Sequence, residues 1–247
     1  MRSSTRALIV VVSLLALAGR ELLAAEADLV SIHSVDRTII VDLRYSGPRN
    51  IAQRPLYPAN MPALVRPQVA AKLAKAQAIL RENGYGLKIW DAYRPASVHD
   101  QLWQLSPNTD YLQDPSVSAS LHTYGVAVDA TLVDSKGREV RMPTDFDDFT
   151  MAAMLKYTGG NAEIRRNLHR LQNAMARTGF YGLRTEWWHF IARDWKEYEP
   201  IPEITIMERG GTGVVPARTE TARRDLPRSS PTPSAGNPAV RRGSALR

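Results

Sequence analysis

Two short stretches of the chain combine imidazole and carboxylate groups at spacings that could bind a metal ion. The first is Ser120-Leu-His122-Thr-Tyr-Gly125-Val-Ala-Val-Asp129, and the second is Glu186-Trp187-Trp188-His189. Joined, His122, Asp129 and His189 would offer two nitrogens and one oxygen to one Zn²⁺ per chain. The fourth position would be left to water, the arrangement of a catalytic rather than a structural zinc. Glu186 would then be the base that takes a proton from that water. Each pattern is short, and the same residues also read as a hydrogen-bonded histidine and a buried aspartate paired with nearby backbone. The chain contains no cysteine, which excludes Cys-ligated zinc, iron–sulfur clusters, disulfide scaffolds and thiol nucleophiles together. His33, His99 and His169 have no carboxylate or histidine at ligand spacing in a comparable setting and read as surface or helix-face histidines.

The elements must bring the two clusters together. His122 and Asp129 are seven residues apart, which on one straight strand would point them to opposite faces. His122 is therefore expected in a loop ahead of a strand over 125–133, with Gly125 letting the chain turn. Residues 38–45 alternate as a half-buried strand, with Ile39, Val41, Leu43 and Tyr45 on one face. Pro67 starts a helix over 67–82, with Val69, Leu73, Ala76 and Leu80 on one stripe and Gly84 beyond its end. Residues 87–93 read as a strand stopped by Pro95, and 96–105 as a short helix. Ile164, Leu168, Leu171 and Met175 mark a helix over 163–177, and aromatic-rich 181–191 reads as one closing strand. Without a regular βαβ rhythm, this is a single α+β domain with a mostly antiparallel central sheet flanked by helices.

The net charge of +7 and pI near 9.8 invite a nucleic-acid reading, but the charge sits at the ends. Residues 1–25 carry three arginines against Glu21, and residues 208–247 carry eight arginines against three acids, which leaves residues 26–207 neutral. No nucleic-acid partner is expected. Arg2 and Arg6 precede an apolar run of 12 residues, Ala7–Ala18, too short for a spanning helix and typical of a secretory signal peptide. Residues 1–25 are thus expected to be removed, leaving no membrane span and a periplasmic protein; an uncleaved anchor is the alternative. Residues 208–247, rich in Arg, Ser, Thr and Pro, are expected to be a disordered basic tail.

Five ordered motifs, Asp42-Leu-Arg-Tyr45, Asp91-Ala-Tyr-Arg94-Pro95, Ser120-x-His122-x-x-Gly125-x-Ala-x-Asp129, Met142-Pro-Thr-Asp-Phe146-Asp147 and Glu186-Trp-Trp-His189, carry a resemblance. Over 38–193 the chain resembles the zinc D-alanyl-D-alanine dipeptidases, which include the vancomycin-resistance D,D-dipeptidases. The resemblance implies a hedgehog/D,D-peptidase-like fold, with His122, Asp129 and His189 as zinc ligands and Glu186 as catalytic base. It further implies that Arg94 stabilises the tetrahedral intermediate, that Asp147 holds the substrate's free ammonium, and that Ser120 and Tyr45 lie near the same end of the pocket. Leu121, Thr123, Tyr124, Pro143 and the loop 47–55 depart from the family pattern, which bears on substrate preference more than on catalysis.

The function so implied is hydrolysis of a small D,D-dipeptide, D-alanyl-D-alanine, to free D-alanine. A zinc D,D- or L,D-carboxypeptidase or endopeptidase acting on peptidoglycan stems is the alternative. A zinc-retaining binding module of the same fold is a third reading, which Glu186 and Arg94 oppose.

Overall fold

In a computed structural model, the described residues are 29–203 and 214–215, all within the unit Met1–Ala217. The expected signal peptide and all of the expected tail except Val214–Val215 lie outside them. In chain order the elements are β1 (Leu29–Ser31), α1 (Ile32–Val35), β2 (Ile40–Val41), β3 (Leu64–Val65), α2 (Pro67–Arg81), β4 (Tyr85–Asp91), α3 (Ala96–Leu105), β5 (Ala127–Asp134), α4 (Ala162–Arg177), β6 (Phe180–Leu183), β7 (Glu186–Ala192) and β8 (Val214–Val215). Single 3₁₀ turns occupy Arg44–Ser46, Met151–Ala153 and Trp195–Glu197.

The main sheet has the order β2-β4-β5-β7-β6. Only β2 and β4 run parallel, and the remaining neighbours are antiparallel. Helices α2 and α4 pack on each other beside it, so the fold is α+β with a mostly antiparallel sheet. Pro67 occupies the first turn of α2, where its missing N–H costs nothing, and Val69, Leu73, Ala76 and Leu80 are all buried. Asn161 caps α4 by accepting from the backbone N–H groups of Glu163 and Ile164 at 2.9 and 3.2 Å. Strands β5 and β7 sit inside the sheet and are buried almost throughout, which is why their sequences are runs of small or aromatic residues rather than apolar–polar alternations.

Three expectations are corrected. Only Ile40–Val41 of the strand expected over 38–45 pairs, and the chain then enters the 3₁₀ turn. The reason is Arg44, which is buried rather than facing solvent. Its guanidinium lies 4.7 Å over the Trp90 ring and reaches Glu139 at 2.6 Å, and these contacts override the local alternation. The single strand expected over 181–191 is a hairpin, β6 and β7, that turns at Arg184 and Thr185. Within the segment expected to be disordered, Val214–Val215 pairs antiparallel with Leu29 and Val30 of β1.

Gly125 closes the turn that delivers His122 to the sheet. Its φ is +71°, and a Cβ there would come within 2.6 Å of Leu29 Cδ2. Its N–H donates to the His122 carbonyl and its own carbonyl accepts from Arg66 N–H, each at 3.0 Å. Gly125→Ala should therefore cost about 1–3 kcal/mol, and thermal denaturation should show a melting temperature lower by roughly 2–4 °C per kcal/mol. An unchanged transition would contradict this reading of the turn.

Candidate active site

The antiparallel registers place three titratable groups in one row across the sheet: Asp91 on β4 opposes Asp129 on β5, and Asp129 opposes His189 on β7. His122 reaches the row from the turn ahead of β5, as the odd spacing to Asp129 requires. Glu186 and His189 are three apart on one strand, which should point them to opposite faces. The register between β6 and β7 breaks at this point, with Gly182 opposite Phe190 and Leu183 opposite Glu186. The irregularity resets the alternation and brings Glu186 Oε2 to 3.7 Å from His189 Nδ1.

The donor atoms converge closely. His122 Nε2 lies 3.2 Å from His189 Nδ1, His189 Nδ1 lies 2.9 Å from Asp129 Oδ1, and His122 Nε2 lies 3.5 Å from Asp129 Oδ2. A tetrahedral zinc with bonds of about 2.0–2.1 Å needs ligand–ligand edges of about 3.3–3.4 Å, so the observed edges bracket that geometry. The outer contacts also fit. His122 Nδ1 donates to the Ala92 carbonyl at 2.8 Å, which fixes the tautomer and leaves Nε2 as a lone pair facing the other two groups. All three residues are buried. Burial acts to raise the Asp129 carboxyl, but the two imidazoles outweigh it and hold the group well below the usual carboxylate range. Burial pushes His189 below its ordinary value despite Asp129, favouring the neutral ring a metal needs. Buried electron pairs from three acceptors meeting at one point call for a cation.

The surrounding groups share a cavity of about 470 Å³, lined by all eight residues singled out from the sequence: Tyr45, Arg94, Ser120, His122, Asp129, Asp147, Glu186 and His189. Arg94 Nε donates to Asp91 Oδ2 at 2.9 Å, and Nη2 forms an ion pair with the same oxygen at 2.8 Å. The backbone of this segment is tied to the His122 turn, Arg94 N–H reaching the His122 carbonyl at 3.3 Å and Thr123 Oγ1 donating to the Arg94 carbonyl at 3.0 Å. Burial, then the Asp129 and Asp147 carboxylates, push Glu186 well above the usual carboxylate range. Asp147 accepts from Ile51 N–H at 3.0 Å and from Tyr45 Oη at 3.2 Å. It adopts φ +56°, an uncommon backbone for a residue other than glycine, and burial raises its pKa to about 7. Ser120 Oγ accepts from the His122 N–H at 3.4 Å and so serves the turn as well as the cavity wall. Asp145 is exposed, 3.4 Å from Arg49.

The structure adds residues that the sequence pattern did not single out. Asp91 is fully buried, accepts from Tyr57 Oη, and holds Arg94; its place in the Asp91-Ala-Tyr-Arg94-Pro95 motif was the available signal. His99, expected on a surface or helix face, is buried and lines the cavity. Tyr111 and Phe149 stack at 4.7 Å in the cavity wall. His33 and His169 are exposed.

A family profile described as D-ala-D-ala dipeptidase matches residues 25–206. The D-alanyl-D-alanine dipeptidase of Escherichia coli (strain K12) is 31% identical over 163 residues, covering 66% of this chain and 83% of that protein. The D-alanyl-D-alanine dipeptidase of Enterococcus faecium is 29% identical over 153 residues, covering 55% of this chain and 74% of its own. Among solved structures, a vancomycin resistance D,D-pentapeptidase VanY variant in complex with Zn(II) superposes with a TM-score of 0.35 and 13% identity, covering 57% of this chain and 79% of that one. Taking the profile match and the relatives with the geometry above, the chain belongs to the D-Ala-D-Ala dipeptidase family of metallopeptidases.

Proposed function

We propose that the protein hydrolyses free D,D-dipeptides, D-alanyl-D-alanine first among them, with one Zn²⁺ held by His122 Nε2, the Asp129 carboxylate and His189 Nδ1. The observation that carries this reading is the convergence of those three acceptors in the same cavity as Glu186 and Arg94. When bound, the zinc supplies Lewis acidity to the scissile carbonyl and to a water beside it. Glu186 takes the proton of that water as its oxygen adds to the carbonyl carbon. Its burial gives it the high proton affinity the step needs, and the Arg94 charge opposes that shift and favours its ionised form. Arg94 presents a permanent cation to the oxyanion that develops. The C–N bond then breaks, and Glu186 returns the proton to the departing amine.

Asp147, steadied by Tyr45 and Ile51, pairs with the substrate's free ammonium, which makes the activity that of an exopeptidase. An acylated amino terminus would leave this buried carboxylate unmatched. Pairing needs ionised Asp147, so KM should rise as pH falls through its titration, which burial places at about 7. Asp147→Asn should raise KM about tenfold or more and flatten that limb, as read from KM against pH; an unchanged limb would remove Asp147 from substrate binding. The apolar run Ala7–Ala18 supports export to the periplasm.

The test of the reaction class compares D-alanyl-D-alanine with its N-acetyl form and with a stem pentapeptide. Hydrolysis of the free dipeptide alone is expected. Equal rates on the blocked peptides would replace this reading with a D,D-carboxypeptidase.

A further inference from the structure

Arg94 is anchored to Asp91 through a single oxygen: Nε donates to Oδ2 and Nη2 lies 2.8 Å from the same atom, with Tyr57 as a further neighbour of the guanidinium. Asp129 Oδ2 lies farther from Nη2, at 3.6 Å, and the guanidinium carbon sits over the Tyr45 ring, 5.0 Å from its centroid. The ring limits movement toward it, but a fork held mainly by one oxygen can still pivot. The remaining nitrogen, Nη1, stops that pivot by facing His99 Nδ1 at 3.4 Å. On its other side His99 Nε2 lies 2.7 Å from the Gln113 carbonyl, in the segment that walls the cavity. The partners fix the tautomer. A carbonyl only accepts, so Nε2 carries the hydrogen; a guanidinium only donates, so Nδ1 offers its lone pair.

We propose that His99 is a positioning residue for the hydrolysis, holding the Arg94 guanidinium against the cavity wall through a neutral acceptor. The inference rests on the role given to Arg94 above. Neutrality matters, because Asp91 and Asp129 already flank this cation and a third carboxylate would weaken the field it offers an oxyanion. A protonated imidazole would repel it instead. Burial, followed by the Arg94 charge, lowers His99 to about 4, in keeping with a ring that stays neutral. The residue reaches the reaction only through Arg94, so its effect belongs in kcat rather than in substrate affinity.

Two experiments on the full-length zinc protein test this. In the first, His99→Leu should keep one zinc per chain and lower kcat about 10- to 100-fold, the scale of a misplaced catalytic group, with little change in KM. His99→Gln, which can offer an oxygen to Nη1 and an N–H to the Gln113 carbonyl, should recover most of the loss. Parent-like turnover in His99→Leu would overturn the proposal, and so would equal impairment of the two variants at full zinc content. In the second, nitrogen NMR of the histidine rings reads the His99 tautomer without any substrate. An Nε2–H ring is expected, and an Nδ1–H ring or an imidazolium at neutral pH would overturn the proposal. If the parent fails to cleave dipeptides, the dipeptidase reading falls and the tautomer still decides whether His99 is the neutral acceptor described here.

Discussion

Glu186→Gln should lower turnover of D-alanyl-D-alanine by about a hundredfold or more while the protein still binds one zinc. The substitution keeps shape and hydrogen-bonding capacity but removes the group proposed to take the proton from water. Metal retention is expected because Glu186 stands outside the converging triad, its Oε2 3.7 Å from His189 Nδ1. The same change carries a stability signature of opposite sign. Burial and the nearby carboxylates raise the folded-state affinity of Glu186 for its proton. The metal-free protein therefore loses stability as pH rises from the unfolded-state value through the folded-state one. A neutral glutamine escapes that loss, so metal-free Glu186→Gln should melt above the parent at neutral pH. Steady-state rates, metal content and calorimetry on one preparation read all three. Turnover near the parent's, with zinc bound, would remove Glu186 from the role of base.

Removing the metal should abolish hydrolysis and lower the melting temperature. Without a cation, two imidazoles 3.2 Å apart and the Asp129 carboxylate must share protons in a buried cluster, and these polar groups must be desolvated on folding. Ligand linkage makes the effect measurable: free zinc at a thousandfold excess over its Kd stabilises the fold by about 4 kcal/mol. For a domain of this size that is a shift on the order of 10 °C. His189→Ala should lose both the activity and the dependence of the melting temperature on zinc. Calorimetry across a zinc titration of parent and variant checks this, and a variant whose transition still climbs with zinc would assign the ion to other residues.

How much of this was legible in the sequence depended on whether local pattern or distant pairing decides each feature. Helices α2, α3 and α4 could be read because apolar spacing and end signals act within a single helix. The placement of His122 in a turn also followed from local geometry, since an odd separation from Asp129 and a glycine at 125 leave few alternatives. Arg44 was not legible. Its burial comes from Trp90 and Glu139, which meet it only after the sheet forms. The hairpin at Arg184 and Thr185 lacks the glycine, proline or asparagine that usually marks a turn, so two strands read as one. His99 looked ordinary because its partner is the Gln113 carbonyl, beyond the end of its own helix. The row Asp91, Asp129 and His189 needs the strand order of the sheet, which residue spacing does not encode.

In the active dipeptidase a single zinc should sit among His122 Nε2, Asp129 and His189 Nδ1. Anomalous diffraction at the zinc edge, from crystals of protein shown to cleave D-alanyl-D-alanine, tests it most directly. One full-occupancy peak within about 2.0–2.2 Å of those three donors is the expected result. An active protein with no peak there, or with its zinc held elsewhere, would contradict the account.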